Sequence, residues 1–171
     1  MALLCLILAG GKSKRMGQDK TLLYDSVNAL LSTLAKKGCK VVVACGTKDR
    51  AQLFDAQCWF DPPAAMSLAE VLHAFIEQHD EEIQLFPADM YRLDDDAIDV
   101  VLAQPPGIPV DAESNEQPTL ARIPRHCILT KSMSLKGLFS NLNRNDMSEL
   151  GNRLENFNLP VQIDALNKSN Q

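Results

Sequence analysis

Residues 3–20 read LLCLILAGGKSKRMGQDK, and the rest of the chain is read outward from them. Leu3 to Leu8 is an unbroken apolar run, the mark of a strand buried on both faces of a sheet. Gly10 and Gly11 end the run, and Lys12, Lys14, Arg15 and Lys20 follow closely. Adjacent glycines let the backbone approach a ligand and turn its N–H groups toward an anion. The chain as a whole carries 17 Lys and Arg against 22 Asp and Glu, a net charge of −5. The loop is therefore a local reversal of sign, and polyphosphate is its natural guest. A short Gly-Gly-Lys on its own reads first as a solvated basic loop.

Two familiar phosphate loops are excluded. A Walker A loop requires glycine where Leu6 stands, and the dinucleotide fingerprint G-x-G-x-x-G requires glycine where Lys12 stands.

Beyond this turn the chain alternates strand and helix patterns. From Asp25, the residues Val27, Leu30, Leu31 and Leu34 recur at helical spacing, with Gly38 as the C-terminal cap. Lys40 to Ala44 reads as a buried strand, Asp49 to Phe54 as a short helix, and Gln57 to Phe60 as a third strand. Ser67 and Glu70 form a capping box before a helix with Leu68, Val71, Leu72, Phe75 and Ile76 on one face. Glu82 to Phe86 is a fourth strand, and Asp94 to Asp96 open a helix running to about Leu102. Past Gln104 the pattern weakens. Pro105, Pro106, Gly107 and Pro109 read as a loop, Thr119 to Leu129 as a source of strands, and Leu135 to Leu142 as a helix. Short connections between alternating elements imply right-handed parallel crossovers, hence an α/β sheet covered on both faces.

Composition bounds the remaining choices. With 171 residues, 46% apolar and 23% charged, the chain suits one globular domain and needs no disulfide or metal to fold. Its acidic balance argues against general nucleic-acid or membrane binding. Cys5, Cys39, Cys45, Cys58 and Cys127 show no zinc or redox spacing, so they read as free thiols in a reducing compartment, the cytoplasm. Ala2 to Ala9 is far short of the ~18 residues of a membrane span. His73 and His79 are expected on one helix, six apart and not at metal-pair spacing, and Trp59 and the phenylalanines read as core.

In open α/β sheets the informative residues follow the strands. Asp89, in Phe86-Pro87-Ala88-Asp89-Met90, is a carboxylate of the kind that holds Mg²⁺ against phosphate oxygens, and equally of the kind that caps a helix.

Residues 6–20, LILAGGKSKRMGQDK, resemble the signature L-A-G-G-x-S-x-R-M-G-x-D-K of the molybdenum cofactor guanylyltransferase (MobA-like) family, and every fixed position is met. The resemblance implies a three-layer, Rossmann-like fold of the glycosyltransferase-A type, with a mostly parallel sheet. It implies one domain over 1–171, binding nucleotide through about 1–103 and acceptor through about 104–165. By the same resemblance, the backbone of Leu8, Ala9, Gly10 and Gly11 meets the nucleotide. Arg15 and Lys20 stabilise the departing pyrophosphate, Asp61 contributes to nucleotide binding, and Asp89 holds Mg²⁺. Asn115 to Ala121 is similar to an acceptor-side segment, and Asn156 and Asn158 match asparagines that face the pterin.

The implied reaction transfers GMP from GTP to a molybdopterin acceptor and releases pyrophosphate. Four features depart from the family pattern. Thr21 to Ser26 replaces a glycine-x-proline turn, Ala64 to Ala69 lacks the glycines of a base-facing loop, and Ala44 stands where a nucleotide-contacting asparagine is usual. Leu159, Val161 and Gln162 likewise replace threonine, glutamate and aspartate. These departures leave open a cytidylyltransferase or other NTP transferase, and a diverged nucleotide-binding or cofactor-delivery protein without catalysis.

Overall fold

The computed structural model describes residues 3–10 and 20–155, with backbone alone for 20–24. Strand β1 (Leu4–Leu8) is followed by helix α1 (Lys20–Lys36), β2 (Lys40–Gly46), β3 (Gln57–Phe60), α2 (Leu68–Glu77), β4 (Ile83–Pro87) and α3 (Asp95–Ala103). Then come β5 (Ile108–Val110), β6 (Arg122–Ile123), α4 (Leu135–Leu138) and β7 (Arg144–Asp146). The main sheet has the order β3-β2-β1-β4-β6, parallel except for β6, and β5 pairs with β7 in a small parallel sheet.

Alternation along β1 builds the two sides of the core. Cys5 and Ile7 point to one face, where they meet Val27 and Leu34 of α1 and Ile98 and Val101 of α3. Leu4 and Leu6 point to the other, against Leu72, Phe75 and Ile76 of α2 and Leu138 and Phe139. A run of LLCLIL is thus apolar throughout because neither face meets water. Helix starts follow local chemistry. Ser67 accepts a hydrogen bond from the Glu70 N–H, and Asp94 accepts one from the Ala97 N–H. Asp95 and Asp96 occupy the first turn of α3, facing the positive end of its dipole.

Several sequence expectations are corrected. Helix α1 begins at Lys20 rather than Asp25, because residues 20–26 contain neither glycine nor proline to stop it. The 49–54 segment is a 3-10 helix, Lys48–Leu53. Part of the expected loop at 105–109 enters β5, where Pro109 is tolerated because the ladder uses its neighbours: Ile108 N–H donates to Asn143 O, and Val110 O accepts from Met147 N–H. Only Arg122–Ile123 of the 119–129 stretch forms a strand, and the helix expected to Leu142 stops at Leu138. His79 lies beyond α2 rather than on it. Phe60 is 42% exposed, not core. Among the described residues, no helix is long and apolar enough to cross a membrane.

The irregular last third is tied to the sheet by a buried amide chain. Gln84, fully buried on β4, receives a hydrogen bond from Gln104 at 2.9 Å and itself donates to Leu120 O at 2.8 Å. Asn145 Nδ2 on β7 donates to Gln104 Oε1 at 3.2 Å, which extends the chain to the small sheet.

Candidate active site

The carboxyl ends of β3, β2, β1 and β4 lie side by side. The first glycine of the signature is packed against β2. The Ala9 N–H donates to Ala44 O at 2.9 Å, prolonging the β1–β2 ladder by one residue. Gly10 then meets Gly46: a Cβ on Gly10 would lie 2.9 Å from Gly46 N, and one on Gly46 would lie 3.0 Å from Gly10 O. Gly46 also has φ +86°, where a side chain is strained. The register of β2 against β3 shifts between Ala44 and Gly46, and the Asp61 N–H donates to Gly46 O at 2.8 Å. The exits of three strands are thereby locked around two touching glycines.

Asp61 and Asp89 stand on either side of this lock. With strands spaced ~4.8 Å apart, the exits of β3 and β4 are separated by about 14 Å, too far for both carboxylates to share one ion. Desolvation pushes both carboxyl groups above the ordinary range. The Arg50 guanidinium opposes that rise at Asp61, and a backbone N–H opposes it at Asp89. Asp89 is half-buried in the turn after β4, and the Ser26 hydroxyl of α1 donates to the neighbouring Ala88 O at 3.0 Å. Among the described residues, no group of three His, Cys, Asp or Glu side chains is placed to hold a metal ion. Mg²⁺ keeps several waters and is satisfied by one or two carboxylates plus substrate phosphates, so a lone Asp89 fits an ion that arrives with a triphosphate.

Of the residues expected at the site, Leu8, Ala9, Gly10, Asp61 and Asp89 fall on this one edge. Lys20 opens α1, its side chain outside the described residues, and Gly11, Arg15, Asn156 and Asn158 lie outside them altogether. Two participants went unread in the sequence. Gly46 carried a signal, a glycine closing a strand. Arg50 carried none, yet its Nη2 donates to Ala9 O at 2.8 Å.

In the segment expected to meet the acceptor, Gln117 is buried, and its Nε2 donates to Asp111 Oδ2 at 2.8 Å. Desolvation raises Asp111, but donation from the Asn115 N–H, the Gln117 amide and the Glu113 N–H outweighs it and holds the carboxyl below its usual range. Leu120 and Ala121 of the same segment are fully buried, so they serve packing.

Comparison with known proteins agrees with this architecture. The model of the MobA-like NTP transferase domain matches residues 5–137. A solved structure of a protein from Aquifex aeolicus VF5 superposes with a TM-score of 0.68 at 20% identity, covering 91% of this chain and 93% of that one. The 4-diphosphocytidyl-2C-methyl-D-erythritol synthase of Anaerococcus prevotii DSM 20548 superposes with a TM-score of 0.57 at 8% identity, covering 99% and 98%. At such identities the likeness is one of fold, a Rossmann-like α/β sheet. Comparison with curated proteins gives no match. With a family match over most of its length, the chain belongs to the MobA-like NTP transferase domain family, whose chemistry is nucleotidyl transfer from a nucleoside triphosphate.

Proposed function

We propose that this protein transfers GMP from GTP to a molybdopterin-type phosphorylated acceptor with release of pyrophosphate, assisted by Mg²⁺. The observation that carries the reading is the juxtaposition of Gly10, at the head of the complete family signature, with Gly46 between Asp61 and Asp89. An acceptor phosphate oxygen attacks the α-phosphorus, the α–β anhydride bond breaks, and its electron pair leaves with pyrophosphate. Such a step needs positioning and charge neutralisation rather than a covalent nucleophile. In this reading Gly10 and Gly11 present backbone to the phosphates, and Arg15 and Lys20 neutralise the leaving group. Asp61 meets the nucleoside, and Asn156 and Asn158 face the acceptor. Asp89 would hold Mg²⁺, which when bound supplies Lewis-acid polarisation of the phosphoryl oxygens.

Ala44 favours keeping the base open to test: it is buried, with its carbonyl engaged by the Ala9 N–H, and offers no polar side chain to a base. Thermal unfolding with GTP, CTP, ATP and GDP, each with and without Mg²⁺, decides it. A ligand at ~100 times its dissociation constant adds about 2.7 kcal/mol of stability. The expected outcome is an Mg²⁺-dependent shift for GTP that Asp89→Ala abolishes. Turnover in Lys20→Ala should fall by about 100-fold or more with the melting temperature retained. A shift with CTP instead names a cytidylyltransferase. Binding without pyrophosphate release, with acceptor supplied, indicates a delivery protein.

A further inference from the structure

The signature, Asp61 and Asp89 leave the 3-10 segment Lys48–Leu53 without a role. This segment leaves β2 directly after Gly46 and Thr47 and sends Arg50 back across the strand ends. Two effects of its guanidinium bear on the site. Nη2 donates to Ala9 O at 2.8 Å, one residue before Gly10. Its charge also acts on the Asp61 carboxylate, the first residue beyond β3. The strands themselves have no need of it: Ala9 is held by Ala44, Gly10 by Gly46, and Asp61 by its own N–H on Gly46 O. A half-buried guanidinium loses hydration and side-chain freedom, so its hydrogen bond on a strand-end carbonyl calls for a reason.

Arg50 is bonded to the backbone that leads into the signature loop, and its charge is felt by the carboxylate at the far side of the site from Asp89. The family's usual base-facing groups are absent at Ala44 and in 64–69, so Arg50 is a polar side chain this chain does place at that end. We propose that Arg50 is a positioning residue for the nucleoside half of the substrate, holding Ala9 and Asp61 in the relation that lets both meet one nucleotide. The inference rests on the nucleotidyltransferase reading above. Asp61 then accepts from N–H or O–H groups of base or ribose, while the triphosphate is held elsewhere.

That division of labour supplies the test. Affinities of GTP, CTP, ATP and inorganic tripolyphosphate are measured by calorimetry, with Mg²⁺, for the wild-type chain, Arg50→Gln and Arg50→Lys. Arg50→Gln should weaken the preferred nucleoside triphosphate about tenfold, leave tripolyphosphate within about twofold, and keep the melting temperature. Arg50→Lys, which returns the charge without the fork, should recover part of the loss. Unchanged nucleotide affinity in Arg50→Gln, or an equal loss for nucleotide and tripolyphosphate, overturns the proposal and leaves the transferase reading standing. A wild-type chain that binds no nucleoside triphosphate overturns both.

Discussion

The two ends of the parallel sheet treat carboxylates in opposite ways. At the carboxyl ends, Asp61 and Asp89 are pushed above their ordinary pKa by desolvation, and neither forms an ion pair among the described residues. At the amino ends, a cleft of about 310 Å³ lies between the end of α2 and the residues after β6, lined by His73, His79 and His126 with Glu77, Asp80 and Glu81. There each carboxylate has a partner. Asp80 meets Arg125 at 2.6 Å and His126 at 3.1 Å, Glu81 meets Lys40 at 2.9 Å, and Glu77 meets His73 at 3.3 Å. The Arg125 hydrogen bond holds Asp80 below its usual range. In this cleft Asp80 and Glu81 are both held by a basic side chain. The desolvated carboxylates stand at the carboxyl ends of the strands, where ligands bind in open α/β sheets.

The largest effect that sharpens this comparison comes from the glycine lock. Gly46→Ala should cost about 3 kcal/mol, because it adds positive-φ strain to a collision with Gly10. Gly38→Ala, at φ +79° but with nothing within 4 Å of the added Cβ, should cost only about 1 kcal/mol. Urea unfolding of the two variants measures the difference, and equal costs would mean that the Gly10–Gly46 contact is not tight.

Asp89→Asn is the next effect. Because the folded state binds the Asp89 proton more tightly than the unfolded chain does, ionisation costs stability. That cost sets in as pH rises past the ordinary carboxyl pKa of ~3.9 and is complete above the raised value. The variant should therefore melt about 2 °C higher than wild type at pH 7 without metal, with the gain vanishing in acid. A loss of stability at pH 7 would show that Asp89 is paired in solution.

The smallest effect belongs to the cleft. Asp80 is lowered, so its contribution is present above the ordinary carboxyl pKa and is lost as pH falls. The pair is exposed, and Asp80→Asn should scarcely move the melting temperature at pH 7 while leaving nucleotide affinity unchanged. A change in nucleotide affinity would join the two ends that the charge pattern separates.

What could be read in advance follows from the range of the forces involved. The runs LLCLIL, KVVVA and QCWF, the caps at Ser67 and Asp94, and the signature through Lys20 are local statements, and a strand apolar on both faces or a hydroxyl before a helix means the same thing in most surroundings. They were enough for a mostly parallel α/β sheet of this family. The irregular third was not legible. Strand β5 contains a proline, β7 reads RND, and both depend on hydrogen bonds to distant backbone and on the buried Gln84–Gln104–Asn145 chain.

The candidate site divides in the same way. Gly10 and Asp89 could be named from their places after strands, since strand ends converge in any such sheet, and Asp61 from the family resemblance. That Gly10 touches Gly46, and that Arg50 reaches Ala9 from a segment 41 residues away, was decided only by the tertiary fold. An arginine has no periodicity to betray it, and its long side chain takes its meaning from whichever carbonyl and carboxylate the fold brings within reach.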